Sequence, residues 1–493
     1  MLSSTTLVTA SAVAALLAGC AGGTPAATSA PTSVTSSSAA SSGPASTPPT
    51  VTPNLATTSA ATPTAAPTPT AGVPSPTVSG VKSAAAVGTD GVRPLVAAPG
   101  LPTGTKVYPN FFGVHDASVT GPNGWPRVPV GTIRLWDAGV SWRNIETAPG
   151  RYDFSTFDAI VRQANLKGAE TLVVLGQTPQ FYASKISRTD VYGPGAASMP
   201  KNLSAWKRYV QAVANRPGVR GNPKVQFQVW NEANVAEFWS GTPAQMALLT
   251  KATRDALATT RSSKFLVAPA LVTRASFQRT WMDTFYRTKV SGRPVADYVD
   301  AVSVQLYPLP TGKPEDSMAI LALNKKILAK YRVTKPIWNT EVNYGLSGPR
   351  NVAALPAALQ AANVSRTYLL NAAAGIKRVY WYSWGNITIA NTRTTTANGY
   401  TLTPAGKAFG ITRAWMVNAQ MRSCTRNAVG TYTCTITYNG GVRRVFWNPS
   451  RAVTVAVVGA TSHQLLDGTT RSYSARTMRL KVGPSPVMIR SAR

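Results

Sequence analysis

The chain has 493 residues, which is enough for two or three domains with a sizeable core. Its hydrophobic content of 44% is ordinary for a globular protein, but 50 Lys and Arg against 18 Asp and Glu give a formal net charge of +32. The basic residues are scattered without a recognition motif, so we expect no nucleic-acid partner. Two explanations of the charge stay open: a general effect on solubility, or attraction to an anionic lipid or an acidic cell-wall polymer.

The N-terminal segment resembles an export signal. Residues 1–81 contain no Asp, Glu, Lys or Arg, and Leu7 to Leu17 form an apolar run too short to span a membrane as a stable helix. The run ends in Leu17-Ala18-Gly19-Cys20, which resembles the lipobox of bacterial lipoproteins. That resemblance implies a signal peptide over residues 1–20, lipidation of Cys20 and an extracytoplasmic protein anchored to the membrane. A plain secretory signal is the alternative.

A low-complexity segment follows the signal. From residue 22 to about residue 80 the chain is almost entirely Ser, Thr, Ala and Pro. Such a sequence cannot bury enough apolar surface to offset the entropy lost on ordering. We therefore predict a disordered linker over residues 21–105 that holds the rest of the chain away from a surface.

Residues 106–416 alternate between strand and helix patterns. Eight short β-rich runs are predicted as strands, namely 111–115, 132–136, 170–175, 224–230, 264–269, 299–305, 336–341 and 376–382. Amphipathic stretches between them are predicted as helices, namely 155–167, 203–216, 243–261, 277–290, 317–331 and 352–374. This alternation favours an α/β fold of the (β/α)8 TIM-barrel type. A doubly wound sheet is the alternative, but no Gly-rich turn follows the first strand.

The last part of the chain, residues 417–493, is predicted as a small antiparallel, β-sandwich-like accessory domain. Runs of strand character at 431–438, 443–447, 452–458, 477–481 and 486–489 lie between Gly, Asn and Pro turns. Cys424 and Cys434 flank the turn-like sequence Asn427-Ala428-Val429-Gly430, which predicts a cross-strand disulfide in an oxidising compartment. Two free thiols are the alternative.

Two predicted barrel strands end in similar sequences that deliver a glutamate. Trp230-Asn231-Glu232 ends strand 4, and Trp338-Asn339-Thr340-Glu341 ends strand 7. Because the carboxyl ends of barrel strands meet at one mouth, we expect Glu232 and Glu341 to face each other there. Paired carboxyl groups are what the cleavage of a glycosidic bond requires.

These motifs resemble the retaining glycoside hydrolases of clan A, whose acid/base Glu follows strand 4 and whose nucleophile follows strand 7. The run Trp230–Asn234, followed by Glu237-Phe238-Trp239-Ser240-Gly241-Thr242-Pro243, is most similar to glycoside hydrolase family 39. That family usually has Pro where this chain has Ala233. The resemblance covers about residues 106–415 and implies hydrolysis of a poly- or oligosaccharide by double displacement.

The resemblance and the chemistry together give five residues their predicted roles. Glu341 is the nucleophile, kept ionised by Arg134 and by a hydrogen bond from Tyr307. Glu232 is the acid/base, kept protonated by its negative neighbour. Asn231 binds the sugar 2-hydroxyl group. A surface salt bridge for Arg134 and a core position for Tyr307 are the alternatives.

Two further residues are predicted to contact substrate. Trp384, after strand 8, corresponds to the Trp that lines the donor subsite in clan members. His115, at the end of strand 1, is expected to contact a sugar hydroxyl group or to be structural. For Trp136, Trp239 and Trp338 two alternatives stay open: each ring stacks on a sugar, or each belongs to the core.

Other chemistries lack their motifs. The chain has neither His-Glu-x-x-His nor Gly-x-Ser-x-Gly, and no Cys or His cluster of metal-site spacing, so we expect no metal and no cofactor. The expected partners are a carbohydrate, a membrane reached through the lipid anchor and an anionic wall polymer. A non-catalytic carbohydrate-binding envelope lipoprotein is the alternative function.

Overall fold

The computed structural model describes most of the chain after residue 103. The described ranges are 104–121, 124–187, 190–345, 354–385, 391–439, 441–473 and 477–491. The predicted signal peptide (1–20), its Cys20 and nearly all of the predicted linker (21–105) lie outside them. Within these ranges no helix combines the length and the apolar character needed to cross a bilayer.

Eight parallel strands form a nearly closed barrel in the described part of the chain. They are β1 (Phe112–Val114), β2 (Thr132–Leu135), β3 (Glu170–Leu175), β4 (Val225–Val229), β5 (Leu266–Val267), β6 (Val302–Gln305), β7 (Ile337–Val342) and β8 (Arg378–Trp381). The hydrogen-bonded order is β6-β7-β8-β1-β2-β3-β4-β5. Single bridges at Val267–Ala301 and Val272–Gln305 connect β5 to β6. The predicted TIM-like fold is confirmed.

The strands form where the sequence is apolar or small on both faces. In β6, all four residues of Val-Ser-Val-Gln are buried. Helices cover the outer face of the strand, and side chains of the other strands fill the inside of the barrel. Polar side chains inside the barrel bond to each other: Ser303 and Thr340 are joined by a hydroxyl–hydroxyl hydrogen bond of 2.6 Å. Adjacent strands are therefore fixed in register below the mouth.

Helices connect the strands around the outside. The described residues contain α1 (Trp142–Ile145), α2 (Ser155–Leu166), α3 (Leu203–Ala214), α4 (Pro243–Ala258), α5 (Ser276–Arg287), α6 (Pro314–Lys330), α7 (Ala357–Ala373) and α8 (Pro404–Met416). Six of them match predicted helices, whereas α1 and α8 were not predicted. Helix α4 begins with a reciprocal capping box between Thr242 and Gln245 and has Pro243 in its first turn.

The C-terminal residues form an antiparallel sheet and a strand pair. The strands are β9 (Gln420–Arg426), β10 (Tyr432–Tyr438), β11 (Gly441–Trp447), β12 (Val453–Val458), β13 (Ala460–Gln464), β14 (Thr470–Ser472), β15 (Thr477–Val482) and β16 (Val487–Ser491). The sheet order is β9-β10-β11-β16-β13-β14, and residues Thr105–Lys106 add a strand beside β9. β12 pairs with β15, and its Val455 and Val457 share a core with Phe446 and Ile489 of the sheet.

The predicted disulfide is present in this sheet. Cys424 of β9 is directly opposite Cys434 of β10, and their sulfur atoms are bonded. The turn between the two strands is closed by a hydrogen bond from the Gly430 N–H to the Asn427 carbonyl (3.0 Å). Gly430 has φ +86°, a conformation that glycine adopts without steric cost.

A buried ion pair lies where the barrel helices meet the sheet. Arg366 of α7 lies 3.2 Å from Glu315 of α6, and both are nearly inaccessible to solvent. Glu315 also accepts a hydrogen bond from the Trp447 indole N–H (2.9 Å), and Tyr432 stacks on that indole. The ion pair therefore joins α6 to α7, and the hydrogen bond from Trp447 to Glu315 attaches the sheet to these helices.

Candidate active site

The two predicted glutamates lie at the carboxyl end of the barrel. Glu341 is the fifth residue of β7, and Glu232 follows β4 by three residues. Glu341 is 4% exposed and Glu232 is 8% exposed, so both carboxyl groups are largely removed from water. What distinguishes them is the number of hydrogen-bond donors around each one.

The Glu341 carboxylate accepts three hydrogen bonds. Arg134 Nη1 donates to Oε2 (3.1 Å), Gln305 Nε2 donates to the same oxygen (3.0 Å), and the Tyr307 hydroxyl donates to Oε1 (2.9 Å). The hydrogen bond predicted for Tyr307 is therefore present. A guanidinium and two neutral donors all favour the ionised form of this group.

Arg134 organises the centre of the mouth from β2. Besides Glu341, its Nη2 donates to Asn231 Oδ1 (2.7 Å) and its Nε donates to Gln228 Oε1 (2.7 Å). The residue is buried, so the expectation of a surface salt bridge does not apply. A planar guanidinium with donors in fixed directions suits this position better than a flexible ammonium group.

Asn231 connects the surroundings of the two glutamates. Its Oδ1 accepts from Arg134 and also from Gln305 Nε2 (3.0 Å), and Gln305 donates to Glu341 as well. Two donors on one oxygen fix the orientation of the amide, and its Nδ2 group has no acceptor among the described residues. Asn231 and Glu341 are therefore positioned by the same two side chains.

The backbone after β4 turns sharply to present Glu232. Trp230 (φ 60°) and Glu232 (φ 45°) are in the left-handed region, which is costly for residues with a side chain and is often found at functional sites. The turn is held by a hydrogen bond from the Ala233 N–H to the Ala270 carbonyl (3.0 Å). Proline has no N–H, so Ala233 makes a contact that the Pro usual in family 39 cannot make.

Burial is the main cause that raises the pKa of both carboxyl groups, to about 8 for Glu232 and to about 7 for Glu341. The negative charge of Glu341 adds to the shift at Glu232, while Arg274 and Arg134 oppose it. At Glu341, Arg134 and the Tyr307 hydroxyl group oppose the effect of burial. Three hydrogen-bond donors, one of them a cation, favour the ionised form of Glu341, whereas the charge of Glu341 favours the protonated form of Glu232.

His115 follows β1 and lies close to Glu341. Its Nε2 is 3.0 Å from the Thr340 carbonyl and 4.0 Å from Glu341 Oε2, and burial next to Arg134 lowers its pKa well below the ordinary value. The neutral ring donates from Nε2 to Thr340, which leaves the buried Nδ1 as an acceptor without a partner. Contact with a sugar hydroxyl group remains a prediction for this residue.

Trp384 lies beside His115 on the wall of a small cavity of about 60 Å³. Its backbone N–H donates to the His115 carbonyl (2.7 Å), and its indole packs edge-on against Phe409. Trp136 and Tyr382 also line this cavity. The role of Trp384 as a donor-subsite platform stays a prediction, and its residue is only 4% exposed.

The other two tryptophans have different positions. Trp239 is 2% exposed and packs edge-on against Trp230, so it belongs to the core near the mouth. Trp338 is the second residue of β7, below Glu341, and lines a groove at the amino end of the barrel.

Sequence reasoning missed three polar residues of the mouth. Gln305 ends β6, Asp137 follows β2, and Arg274 lies in the loop after β5. Asp137 is exposed to solvent, and its carboxylate accepts hydrogen bonds from the Tyr192 and Tyr382 hydroxyl groups. The signal was available for Gln305 and Asp137, because each lies at the carboxyl end of a predicted strand, as Glu232 does.

Among the described residues, no group of three or more His, Cys, Asp or Glu side chains is arranged to hold a metal ion. The charged groups of the mouth contact each other and neutral amides instead. The arrangement can supply one carboxylate, one carboxylic acid and several fixed hydrogen-bond donors to a polar ligand.

Residues 199–409 match the family model described as "Glycosyl hydrolase catalytic core". This stretch of the chain is similar to the catalytic cores of glycosyl hydrolases. The match includes Glu232, Asn231, Tyr307, Glu341 and Trp384 and begins after β3, so the residues supplied by β1 and β2 lie outside it.

Solved structures of glycosidases have a similar fold. A family 39 glycoside hydrolase from Bacteroides cellulosilyticus WH2 is 16% identical, with a TM-score of 0.59 over 78% of this chain and 81% of that chain. A glucosidase from Croceicoccus marinus is 14% identical, with a TM-score of 0.57 over 79% and 97%. A family 30 endoxylanase from Clostridium papyrosolvens C71 is also 14% identical, with a TM-score of 0.52 over 80% and 98%. At these identities the likeness concerns the fold.

Proposed function

We propose that this protein is a retaining glycoside hydrolase that cleaves O-glycosidic bonds of an extracellular or cell-envelope poly- or oligosaccharide. The observation that carries the proposal is the asymmetry of the two buried glutamates. Glu341 accepts three hydrogen bonds, one of them from a cation, whereas within the described residues the Glu232 carboxyl group has no hydrogen-bond donor. One group is thereby suited to act as a carboxylate and the other to act as an acid.

In the first step, ionised Glu341 attacks the anomeric carbon while Glu232 gives its proton to the leaving oxygen. The bond from carbon to the leaving oxygen breaks as the bond from carbon to Glu341 Oε forms, and the first product departs as an alcohol. Arg134 and Gln305 hold the Oε2 atom, and Tyr307 holds Oε1, so the attacking carboxylate is oriented before the substrate arrives.

In the second step, water hydrolyses the glycosyl-enzyme. Esterification removes the charge of Glu341, which is one of the causes that keep Glu232 protonated. Glu232 can then ionise, take a proton from the water and so direct the hydroxyl oxygen at the anomeric carbon. The carboxylate of Glu341 is regenerated and Glu232 regains its proton, which returns the site to its starting state.

Asn231 is proposed to bind the sugar next to the reacting carbon. Its oxygen is occupied by Arg134 and Gln305, which leaves the Nδ2 group to donate to the 2-hydroxyl group. A hydrogen bond to that hydroxyl group strengthens in the transition state and contributes to the rate. Trp384 and His115 are proposed to contact the same sugar from the wall formed after β8 and β1.

The site of action is proposed from the N-terminal sequence. The lipobox-like Leu17-Ala18-Gly19-Cys20 and the uncharged Ser, Thr, Ala and Pro segment after it support a membrane-anchored, extracytoplasmic enzyme on a long tether. The Cys424–Cys434 disulfide agrees with an oxidising compartment.

The test is azide rescue with two alanine variants on a panel of dinitrophenyl glycosides. Glu232→Ala is expected to lose about 10³-fold in turnover and to recover with azide, giving a glycosyl azide of retained configuration. Glu341→Ala is expected to lose about 10⁴-fold or more and to give an azide of inverted configuration, because azide then enters on the face that the carboxylate vacated.

Glu170→Gln at the amino end of the barrel is the matched control and should leave turnover unchanged. Ordinary turnover in either alanine variant would end the proposal. Products of inverted anomeric configuration from the parent enzyme would show that hydrolysis proceeds by a single displacement and not by double displacement.

A further inference from the structure

Two adjoining grooves lie at the amino end of the barrel, away from the mouth. One has a volume of about 510 Å³ and the other about 580 Å³, and Tyr108 and Asn110 line both. Their walls include residues that precede or begin strands, such as Phe265, Pro336 and Glu170. A strand as long as β3 separates this end from the mouth by roughly 17 Å, so the grooves are distinct from the candidate active site.

The grooves are lined by seven cationic side chains. These are Lys106, Lys377 and Arg378 in the first groove and Arg127, Lys167, Lys224 and Arg413 in the second. The one carboxylate among the lining residues is Glu170, which is already bonded to Arg378 (2.9 Å) and to the Asn110 amide. Lys106, Lys167, Lys224 and Lys377 are exposed, so their charges are available to a ligand in solvent.

Aromatic side chains accompany these cations. Tyr108 is 54% exposed at the junction of the grooves, with the Lys106 ammonium group 5.2 Å from its ring centre. Trp338 stacks on Phe265 (5.3 Å), and the Arg378 guanidinium covers the Trp338 ring (5.0 Å). The large ring faces inside the groove are therefore occupied, while Tyr108 remains exposed to a ligand.

Polar atoms without a partner line the same grooves. Gln226 is 7% exposed and its Oε1 accepts no hydrogen bond, and the Nε atoms of Arg378 and Arg413 are also buried without an acceptor. Each of these residues lines a groove, but the atoms themselves are screened from solvent, so the exposed cations and Tyr108 are the groups that a ligand can reach.

We propose that these grooves form a second, non-catalytic binding site for an anionic polysaccharide. A chain of linked sugars fits two adjoining grooves, and its carboxylates match the cations that line them. A flat lipid surface would reach the exposed lysines but not the groove walls. A nucleobase would need ring faces that Phe265 and Arg378 already cover.

Binding of the full chain to polygalacturonate, measured by titration calorimetry, tests the proposal. We expect saturable binding that weakens between about 0.05 M and about 0.5 M salt, because exposed charges are screened. Lys106→Gln/Lys377→Gln should weaken it about tenfold, and Tyr108→Ala several-fold. The control Lys289→Gln/Lys326→Gln removes two exposed lysines elsewhere and should leave the affinity within about twofold of the parent.

Three results would overturn the proposal: equal binding of uncharged dextran, equal weakening by the control pair, or tighter binding of anionic vesicles or single-stranded DNA than of polygalacturonate at the same salt. Hydrolysis of a dinitrophenyl glycoside is expected to be unchanged in the Lys106→Gln/Lys377→Gln variant. That measurement keeps a failure of this site separate from a failure of the proposed catalytic function.

Discussion

At the mouth of the barrel, Arg134 and Glu341 are buried and lie 3.1 Å apart, with neutral amides completing their hydrogen bonds. At the amino end, Lys106 and Lys377 are exposed on the rim of open grooves. Burial makes each charge at the mouth depend strongly on its neighbours, whereas water screens the charges at the amino end. Charged side chains are thus suited to proton chemistry at the buried end and to salt-sensitive attraction at the exposed end.

The largest difference between the two ends should appear when one cation is removed from each. Arg134→Met leaves Glu341 buried without its cation and removes one of the two donors to Asn231, so we expect kcat/KM to fall about 10³-fold. Loss of the positive charge also raises the pKa of Glu341, which moves the acidic limb of the pH profile to higher pH. Lys377→Met at the amino end is the control, and equal losses in both variants would contradict the account.

A smaller change tests the hydrogen bonds of the mouth alone. Tyr307→Phe removes the donor to Glu341 Oε1 but keeps the ring, so we expect a loss of about tenfold in kcat/KM. Because that hydrogen bond lowers the pKa of Glu341, its removal should shift the acidic limb to higher pH and leave the alkaline limb in place. A pH profile identical to that of the parent would show that the contact does not tune the nucleophile.

The smallest expected effect concerns stability. Burial raises the pKa of Glu232 from 4.5 to about 8 in the folded protein, so the folded state holds this proton more tightly than the unfolded chain. The stability linked to that proton is present below pH 4.5 and is lost as the pH rises toward 8. Glu232→Gln does not ionise, and its Tm should exceed that of the parent by roughly 2–4 °C at pH 8.

The same comparison at pH 5 is its control, since the parent is then protonated at this position and the two melting temperatures should converge. A variant that is less stable than the parent at pH 8 would mean that the folded protein stabilises the ionised Glu232 carboxyl group rather than the protonated one.

Much of the barrel was predictable because its strands are short apolar runs between helical patterns. β3 was predicted with its observed bounds, and Glu232 and Glu341 were found because strand ends meet at one mouth. Helix α8 was missed although it carries two start signals, Thr403 accepting from the Gly406 N–H and Pro404 in the first turn. The exposed strand β14 was missed because its Thr-Arg-Ser sequence has no apolar alternation.

The contacts of the site were not predictable in detail. Arg134 was expected to approach Glu341, but its further contacts with Asn231 and Gln228 join segments about a hundred residues apart. Gln305 and Asp137 follow the same strand-end rule as the glutamates, yet amides and aspartates at strand ends are common and only the fold selects these two. The order of the two glutamate pKa values depends on burial and on donors from several strands, which no single motif encodes.

Double displacement with Glu341 as the nucleophile is tested most directly by identifying the residue that becomes covalently bound to sugar during turnover. Incubation with activated 2-fluoro glycosides, followed by peptide mass spectrometry, should place one glycosyl group on Glu341 and block further turnover. No glycosyl group should be found on Glu341 in the Arg134→Met variant over the same time. Labelling of Glu232 instead, or steady turnover without any labelled carboxylate, would contradict the assignment of Glu341 as the nucleophile.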